Sequence, residues 1–158
     1  MEKNTLSVLV ENRFGVLARV AGLFSARGFN IDSLAVAETE DPTISRMTIV
    51  LRGDERILEQ VKKQLNKLID VIKVLDFTRK ECIDRELVLI KVSVPEEKSE
   101  EVIKAINSVG AKVIDRGFEN IIVEEMGDEA KIQALLELLR PYGIKELVRS
   151  GKIAIGKQ

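Results

Sequence analysis

The residues best placed for chemistry in this chain form a short polar turn, Asn12–Gly15, between an apolar strand pattern and a helical pattern. A helix that begins directly after such a turn presents unpaired N–H groups and a positive partial charge. Gly15 has no side chain, so a ligand can approach the backbone closely there. No residue of the neighbouring stretch has the character of a nucleophile or a general base. We therefore interpret the turn as a binding site and not as a catalytic one.

The composition restricts the classes of function. The chain has 158 residues, of which 45% are apolar and 32% charged, as expected for one ordinary globular domain or two small ones. Its 25 basic and 26 acidic residues nearly cancel, which gives no basic surface for nucleic acid or anionic lipid. Histidine is absent and Cys82 is the only cysteine, so zinc sites, Ser-His or Cys-His catalysis and disulfide frameworks lack their usual groups. We interpret Cys82 as an unreactive linker residue, and we predict no metal site and no catalytic residues.

Targeting signals are not evident in the sequence. The first residues lack a basic region, and their apolar run is interrupted at Glu11, which is not typical of a signal peptide. No apolar run reaches the roughly 18–20 residues that a membrane span requires. We expect a cytoplasmic protein with no membrane partner.

The first half of the chain has the pattern of a compact α+β unit. Alternating apolar residues predict strands, and apolar residues at a helical spacing predict helices, in the order βαββαβ. The predicted strands are Thr5–Glu11, Asn30–Glu38, Ser45–Leu51 and Val71–Phe77, and the helices are Val16–Ala26 and a segment capped by Gly53 and Asp54 with the stripe Ile57, Leu58, Val61, Leu65 and Leu68.

The second half repeats this order of elements without repeating the letters. The charged segment 79–85 is interpreted as a linker between a domain at 1–78 and a domain at 86–158. Two split βαβ units of this kind predict an α+β protein with two tandem ferredoxin-like domains, each a four-stranded antiparallel sheet with both helices on one face. The predicted elements are Leu87–Val94, helix Glu96–Val109, Lys112–Gly117, Asn120–Glu125, helix Asp128–Arg140, Ile144–Arg149 and a tail Ser150–Gln158.

The second strand of the first unit, Asn30–Glu38, lies at a sheet edge in this topology. It has no Lys, Pro or Gly to protect it, and it exposes small residues such as Ala35 and Ala37. We therefore predict a homodimer whose first domains join their sheets edge to edge. Two-fold pairing would bring Asn30 and Ile31 of one chain near the Asn12–Gly15 turn of the other.

Three segments of the first half resemble one family closely. They are LSVLVEN at residues 6–12, GVLARVAGLFSARGFNIDSL at residues 15–34 and SRMTIVLRGDE at residues 45–55. They resemble the small regulatory subunits of acetolactate (acetohydroxyacid) synthase, whose ACT amino-acid-sensing domain corresponds to residues 4–78. The second half is similar to that family in layout and length.

The resemblance implies a homodimeric regulatory chain. Such a chain binds and activates the thiamine-diphosphate-dependent catalytic large subunit, and it confers feedback inhibition by valine in branched-chain amino acid biosynthesis. Thiamine diphosphate, Mg and FAD are expected on the large subunit, and no cofactor is expected on this chain. The implied effector contacts are Asn12, Gly15 and the amides of Val16 and Leu17 in one chain, with Asn30 and Ile31 from its neighbour.

The residue types at these positions suit a free amino acid. Its carboxylate fits the N–H groups at the start of the first helix, and its ammonium needs acceptors such as the side-chain carbonyls of Asn12 and Asn30. A branched aliphatic side chain would lie against Ile31, Leu17 or Phe14. A purely structural role is the alternative: Asn12 in the turn, and Ile31 and Leu17 in the core.

The two halves differ at the corresponding helix start. The first helix has no acid in its first turn, whereas the third begins Pro95-Glu96-Glu97 and adds Glu100 and Glu101. Pro95 removes a donor, and the acids already occupy the positive end of the helix dipole. We predict that only the first unit binds an amino acid.

Three other functions remain as alternatives. A stand-alone pair of ACT domains acting on another enzyme or a repressor would have the same site. An RNA-binding sheet normally carries aromatic rings and positive charge, but this chain is 4% aromatic and has Arg46 and Thr48 where rings would be expected. An enzyme active in isolation has the least support, since Glu96-Glu97 and Glu124-Glu125 look like solvated surface and no glycine-rich phosphate loop occurs.

Overall fold

Apolar residues alternate along the strands and recur at helical spacing along the helices, and this pattern places them on one face of each element. The computed structural model of the chain, which describes residues 2–157, arranges these faces into two antiparallel sheets, each with two helices. The elements are β1 (Lys3–Glu11), α1 (Val16–Ala26), β2 (Ile31–Glu38), β3 (Ile44–Arg52), α2 (Glu55–Asn66), β4 (Val71–Asp76), β5 (Cys82–Ser93), α3 (Ser99–Ser108), β6 (Lys112–Arg116), β7 (Asn120–Gly127), α4 (Glu129–Leu139), β8 (Ile144–Arg149) and β9 (Ile153–Gly156).

The first unit has the sheet order β2-β3-β1-β4. Alternate residues of β1 and β3 are fully buried against the apolar stripes of α1 and α2, which together form one core. Strand β2 lies at the edge of the sheet, as the sequence predicts. The core residues of the two central strands are Leu6, Val8, Val10, Met47, Ile49 and Leu51.

The second unit repeats this arrangement with the order β6-β7-β5-β8. Its own core joins the inner faces of β5 and β7 to α3 and α4. The predicted α+β class with two βαββαβ units is therefore confirmed. No helix within residues 2–157 is long and apolar enough to cross a membrane.

Local signals explain where the helices begin. Asp54 and Asp128 are the N-caps of α2 and α4, and each carboxylate accepts a hydrogen bond from the N–H three residues later. The helix predicted over Glu96–Val109 begins differently. Residues 96–98 form a 3-10 turn in which the Lys98 N–H donates to the Pro95 carbonyl, and the α-helix starts only at Ser99.

The segment between the sheets and the end of the chain are more ordered than the sequence predicts. Cys82, interpreted as a linker residue, is the first residue of β5. The tail, to which no strand is assigned from the sequence, contains β9, which pairs with β5, and the Lys157 N–H donates to the Glu81 carbonyl. Among the described residues, the compact units therefore comprise 2–83 with 152–157, and 84–151.

The tail crosses the open face of the first sheet, opposite the helices. At one end, the Lys152 N–H donates to Ser33 Oγ on β2 over 3.1 Å. At the other, a Cβ on Gly156 would lie 3.2 Å from the ring of Phe77, just beyond β4. Four extended residues span about 13 Å, and three strand spacings span about 14 Å. The tail is therefore long enough to run from one edge of the sheet to the other. Ala154, in the tail strand β9, is buried.

Candidate functional site

The start of α1 carries an open set of backbone donors. Gly15 is the N-cap and has φ +83°, no side chain caps the helix, and its first turn contains no acidic residue. The Val16 N–H reaches only the Arg13 carbonyl, over a long 3.4 Å. Since the first N–H groups of a helix have no intrahelical acceptor, they can receive an anionic group here.

Asn12 holds this turn in place. Its backbone N–H donates to the Thr43 carbonyl over 2.7 Å, and its side-chain Nδ2 donates to the Pro42 carbonyl over 2.9 Å. Both acceptors lie in the loop between β2 and β3, so Asn12 ties the turn to that loop and does not cap the helix. Its side-chain carbonyl oxygen can still accept a hydrogen bond from a ligand.

The side chains around the turn divide into buried and open ones. Val16 is buried in the core, so only its backbone can contact a ligand. Leu17 is half exposed and Phe14 is fully exposed, and both offer apolar surface beside the donors. Within one chain, these two residues offer the apolar contacts for a short branched side chain.

Arg19 is a site residue that sequence reasoning missed. Its Nε and Nη2 contact Asp70 Oδ2 at 2.9 and 2.7 Å, while its Nη1 lies 3.1 Å from the position that a Cβ on Gly15 would occupy. The guanidinium thus adds a fixed positive charge next to the open N–H groups. The signal in the sequence was its position one helical turn after Gly15, which places both on the same side of α1.

Asn30 and Ile31 lie at the opposite end of the same sheet. Glu11, which precedes the turn, pairs with Ile44 at one end of β3, whereas Ile31 pairs with Leu51 near the other end. Seven residue steps along β3 correspond to about 24 Å. One bound amino acid cannot contact both groups within one chain, so they can meet only if a second chain supplies one of them.

Asp32 orients Asn30 and is a second residue that the sequence did not reveal. Its Oδ1 accepts from Asn30 Nδ2 over 3.0 Å, and its Oδ2 accepts from Arg52 Nε over 2.6 Å. The hydrogen bond from Arg52 lowers the pKa of the Asp32 carboxyl, and the bond from Asn30 lowers it by a smaller amount. Together these bonds outweigh the opposing effect of slight burial. Asp32 is therefore an anion at neutral pH that holds the Asn30 amide in one orientation.

Comparison with known proteins decides what kind of protein presents this site. The family model described as an AHAS small subunit-like ACT domain matches residues 6–73, and the model described as the small subunit of acetolactate synthase matches residues 85–158. The chain belongs to the acetolactate synthase small-subunit family. It is a regulatory small subunit whose first unit is an ACT domain.

Individual relatives agree with this assignment over nearly the whole small subunit. A probable acetolactate synthase small subunit from Archaeoglobus fulgidus is 53% identical over 153 residues, covering 97% of this chain and 96% of the relative. The acetolactate synthase small subunit of Mycobacterium leprae is 53% identical over 154 residues, covering 98% and 91%. The crystal structure of the Thermotoga maritima small subunit matches with a TM-score of 0.88 at 36% identity, covering 100% of this chain and 99% of that one.

The corresponding helix start in the second unit of this small subunit is acidic. The turn after β5 leads through Pro95 into a 3-10 segment whose first residues are Glu96 and Glu97, and α3 adds Glu100 and Glu101 in its first turn. These carboxylates occupy the end of the helix that would otherwise attract an anion. That only the first unit binds an amino acid stays a prediction.

Proposed function

We propose that this small subunit binds valine between the ACT domains of two chains and so confers feedback inhibition on the catalytic large subunit, which it otherwise activates. The observation that carries the proposal is the helix start at Gly15: uncapped, free of acids and open to a ligand because Gly15 has no side chain. The family assignment supports the large subunit of acetolactate synthase as the partner.

Each part of valine has a matching group. The carboxylate accepts from the amides of Val16 and Leu17, and the helix dipole favours its charge. The ammonium donates to the side-chain carbonyls of Asn12 and, from the second chain, Asn30. The isopropyl group covers Leu17 and part of Ile31 from the second chain, so apolar surface is removed from water.

The site is proposed to be complete only in a homodimer. Strand β2 is an unprotected edge of its sheet, and antiparallel pairing with the same strand of a second chain forms a two-fold, self-complementary contact. Because β2 runs the length of the sheet, such pairing carries Asn30 and Ile31 of one chain toward the Asn12–Gly15 turn of the other. Two equivalent sites result.

Inhibition then needs only a modest preference of valine for one arrangement of the two ACT domains. A difference of about 1–3 kcal/mol in affinity between two arrangements shifts the equilibrium between them by roughly 5–150-fold. The reaction chemistry is proposed to reside on the large subunit with thiamine diphosphate, Mg and FAD, and this chain is proposed to bind no cofactor.

Two measurements test the proposal. Isothermal titration of the full chain with valine, leucine and isoleucine should give one site per chain. Acetolactate formation by the cognate large subunit should rise when this chain is added and fall again when valine is added. A chain that binds none of the three amino acids, or a large subunit indifferent to its presence, would contradict the proposal.

A further inference from the structure

A second candidate site lies on the open face of the first sheet. A cavity of about 680 Å³ opens there between the strands and the crossing tail. Arg46 and Leu75 form part of its wall on the sheet side, and Ile155 and Lys157 form part of it on the tail side. We propose that this cavity binds a small organic anion whose oxyanion head group, a carboxylate or a phosphate, is joined to an apolar body.

Arg46 supplies the charge that such a head group needs. Its Nη1 donates to Ser7 Oγ over 2.6 Å, and Ser7 is fully buried, so one end of the guanidinium is fixed. The Arg46 side chain is partly buried, yet no carboxylate of residues 2–157 lies within 4.0 Å of its guanidinium. A half-buried cation without a counter-ion is costly, and its planar fork of donors matches carboxylate and phosphate.

The remaining charges of the cavity also favour an anion. Lys80 lines it and, in the described part of the chain, makes no ion pair, whereas Lys157 lies 3.7 Å from Glu81. Three cations against one carboxylate leave the cavity with an excess of positive charge. The single carboxylate of the lining, that of Glu81, lies beside Lys157, so the balance of charge favours an anion over an ammonium.

An apolar body has a surface to contact. Leu75 and the edge of Phe77 form an apolar part of the wall, and Ile155 on the tail is 68% exposed. A ligand that covers this exposed isoleucine side chain removes apolar surface from water, which favours binding. The volume of the cavity falls within the range of about 300–1,000 Å³ that is usual for small-molecule sites.

The cavity is separate from the proposed valine site. Arg46 pairs with Leu9 on β1 and Ala37 on β2, and none of these side chains belongs to the core beneath α1 and α2. The two sites therefore lie on opposite faces of one sheet. Occupancy of the cavity can be measured without valine.

The test uses a fluorescent probe of the proposed chemistry, 8-anilinonaphthalene-1-sulfonate, whose sulfonate is the head group and whose rings are the apolar body. Titration of the full chain should give one saturable site per chain. Hexanoate or hexyl phosphate should displace the probe, and hexan-1-ol, which has the same body without the charge, should not. The better of the two anions identifies the head group.

Two variants assign the binding to the cavity. Arg46→Met should weaken the probe at least tenfold, whereas Arg116→Met, which removes an exposed arginine paired with Glu100 in the second unit, should leave it unchanged. Ile155→Asp places a negative charge in the wall at an exposed position, so it should also weaken the probe at least tenfold without impairing folding. Unchanged affinity in Arg46→Met or in Ile155→Asp, or equal displacement by hexan-1-ol, would overturn the inference.

Discussion

Gly15 is the residue on which the proposed valine binding depends most directly. At φ +83° any side chain is strained by about 1–2 kcal/mol, and a carboxylate there would repel the carboxylate of the effector. We expect Gly15→Asp to abolish the heat of valine binding and the inhibition by valine while activation of the large subunit persists. Titration calorimetry and the holoenzyme assay measure the two effects.

Gly110 provides a matched control for that variant. It has the same φ of +83°, and a side chain there would meet no atom within 4 Å. Gly110→Asp therefore adds the same strain and the same charge in the second unit, and it should bind valine normally. Equal loss of binding in both variants would mean that strain, and not the position of the charge, is responsible.

Arg19 should distinguish the carboxylate of the ligand from a neutral amide. Its Nη1 points toward the Gly15 turn while Asp70 holds the other nitrogens, so removal of the charge should weaken valine by about tenfold, which corresponds to about 1.4 kcal/mol. Valinamide, which lacks the carboxylate, should bind wild type and Arg19→Gln alike. Arg27→Gln, at the other end of α1, is the control and should keep the preference for valine. A preference for valine over valinamide that is undiminished in Arg19→Gln would remove Arg19 from the site.

Sequence reasoning predicted the part of the candidate site that is local in the chain. The acid-free helix start and Gly15 follow from neighbouring letters, since the fold forces a strand, a turn and a helix in succession. The anchoring of Asn12 by Pro42 joins residues 30 positions apart, and spacing alone does not reveal it. Helical spacing places Arg19 on the same side of α1 as Gly15. It does not reveal that some guanidinium nitrogens bind Asp70 while Nη1 lies beside Gly15, because that depends on the three-dimensional packing.

Among the elements, the strands and helices of both units were largely predictable because each has a clear apolar period. Strand β9 was not: its four residues are too few to establish a period, and glycine and lysine surround it. What makes it a strand is its pairing with β5 and its position on a sheet face far away in sequence. Short strands that form only when they pack against another surface have a weak signal in the local sequence.

The crossing tail should contribute measurably to the stability of the first unit. Ala154 is 8% exposed, whereas its neighbour Ile153 is 59% exposed. Ala154→Asp would bury a charge without a partner, and we expect it to lower the free energy of unfolding by about 2 kcal/mol. Ile153→Asp introduces the same charge at an open position and should change stability by less than about 0.5 kcal/mol. Urea denaturation followed by circular dichroism compares the two, and equal losses would argue against a packed tail.

At the scale of the whole molecule, the sequence predicted two similar units because the order of patterns repeats on either side of a charged segment. It assigned the end of the chain to the second unit simply because that end follows it. The hydrogen bond from Lys152 to Ser33 joins residues 119 positions apart, and it returns the tail to the first unit. Where a terminal segment packs depends on which surface of the folded protein is left exposed. The periodicity of the sequence does not identify that surface.

The proposed dimer makes a prediction that links assembly to binding. Val36 is 41% exposed on β2, the edge where a second chain would pair, and Ile72 is 51% exposed on β4, the opposite edge. Val36→Glu would place two like charges across the two-fold axis and remove apolar contact, so we expect a monomer at micromolar concentration in sedimentation velocity. Ile72→Glu should remain a dimer. Because the proposed site takes Asn30 and Ile31 from the second chain, the monomeric Val36→Glu should also bind valine at least tenfold more weakly. Dissociation by Ile72→Glu alone would place the interface at β4, and a monomer that binds valine with full affinity would mean that one chain forms the whole site.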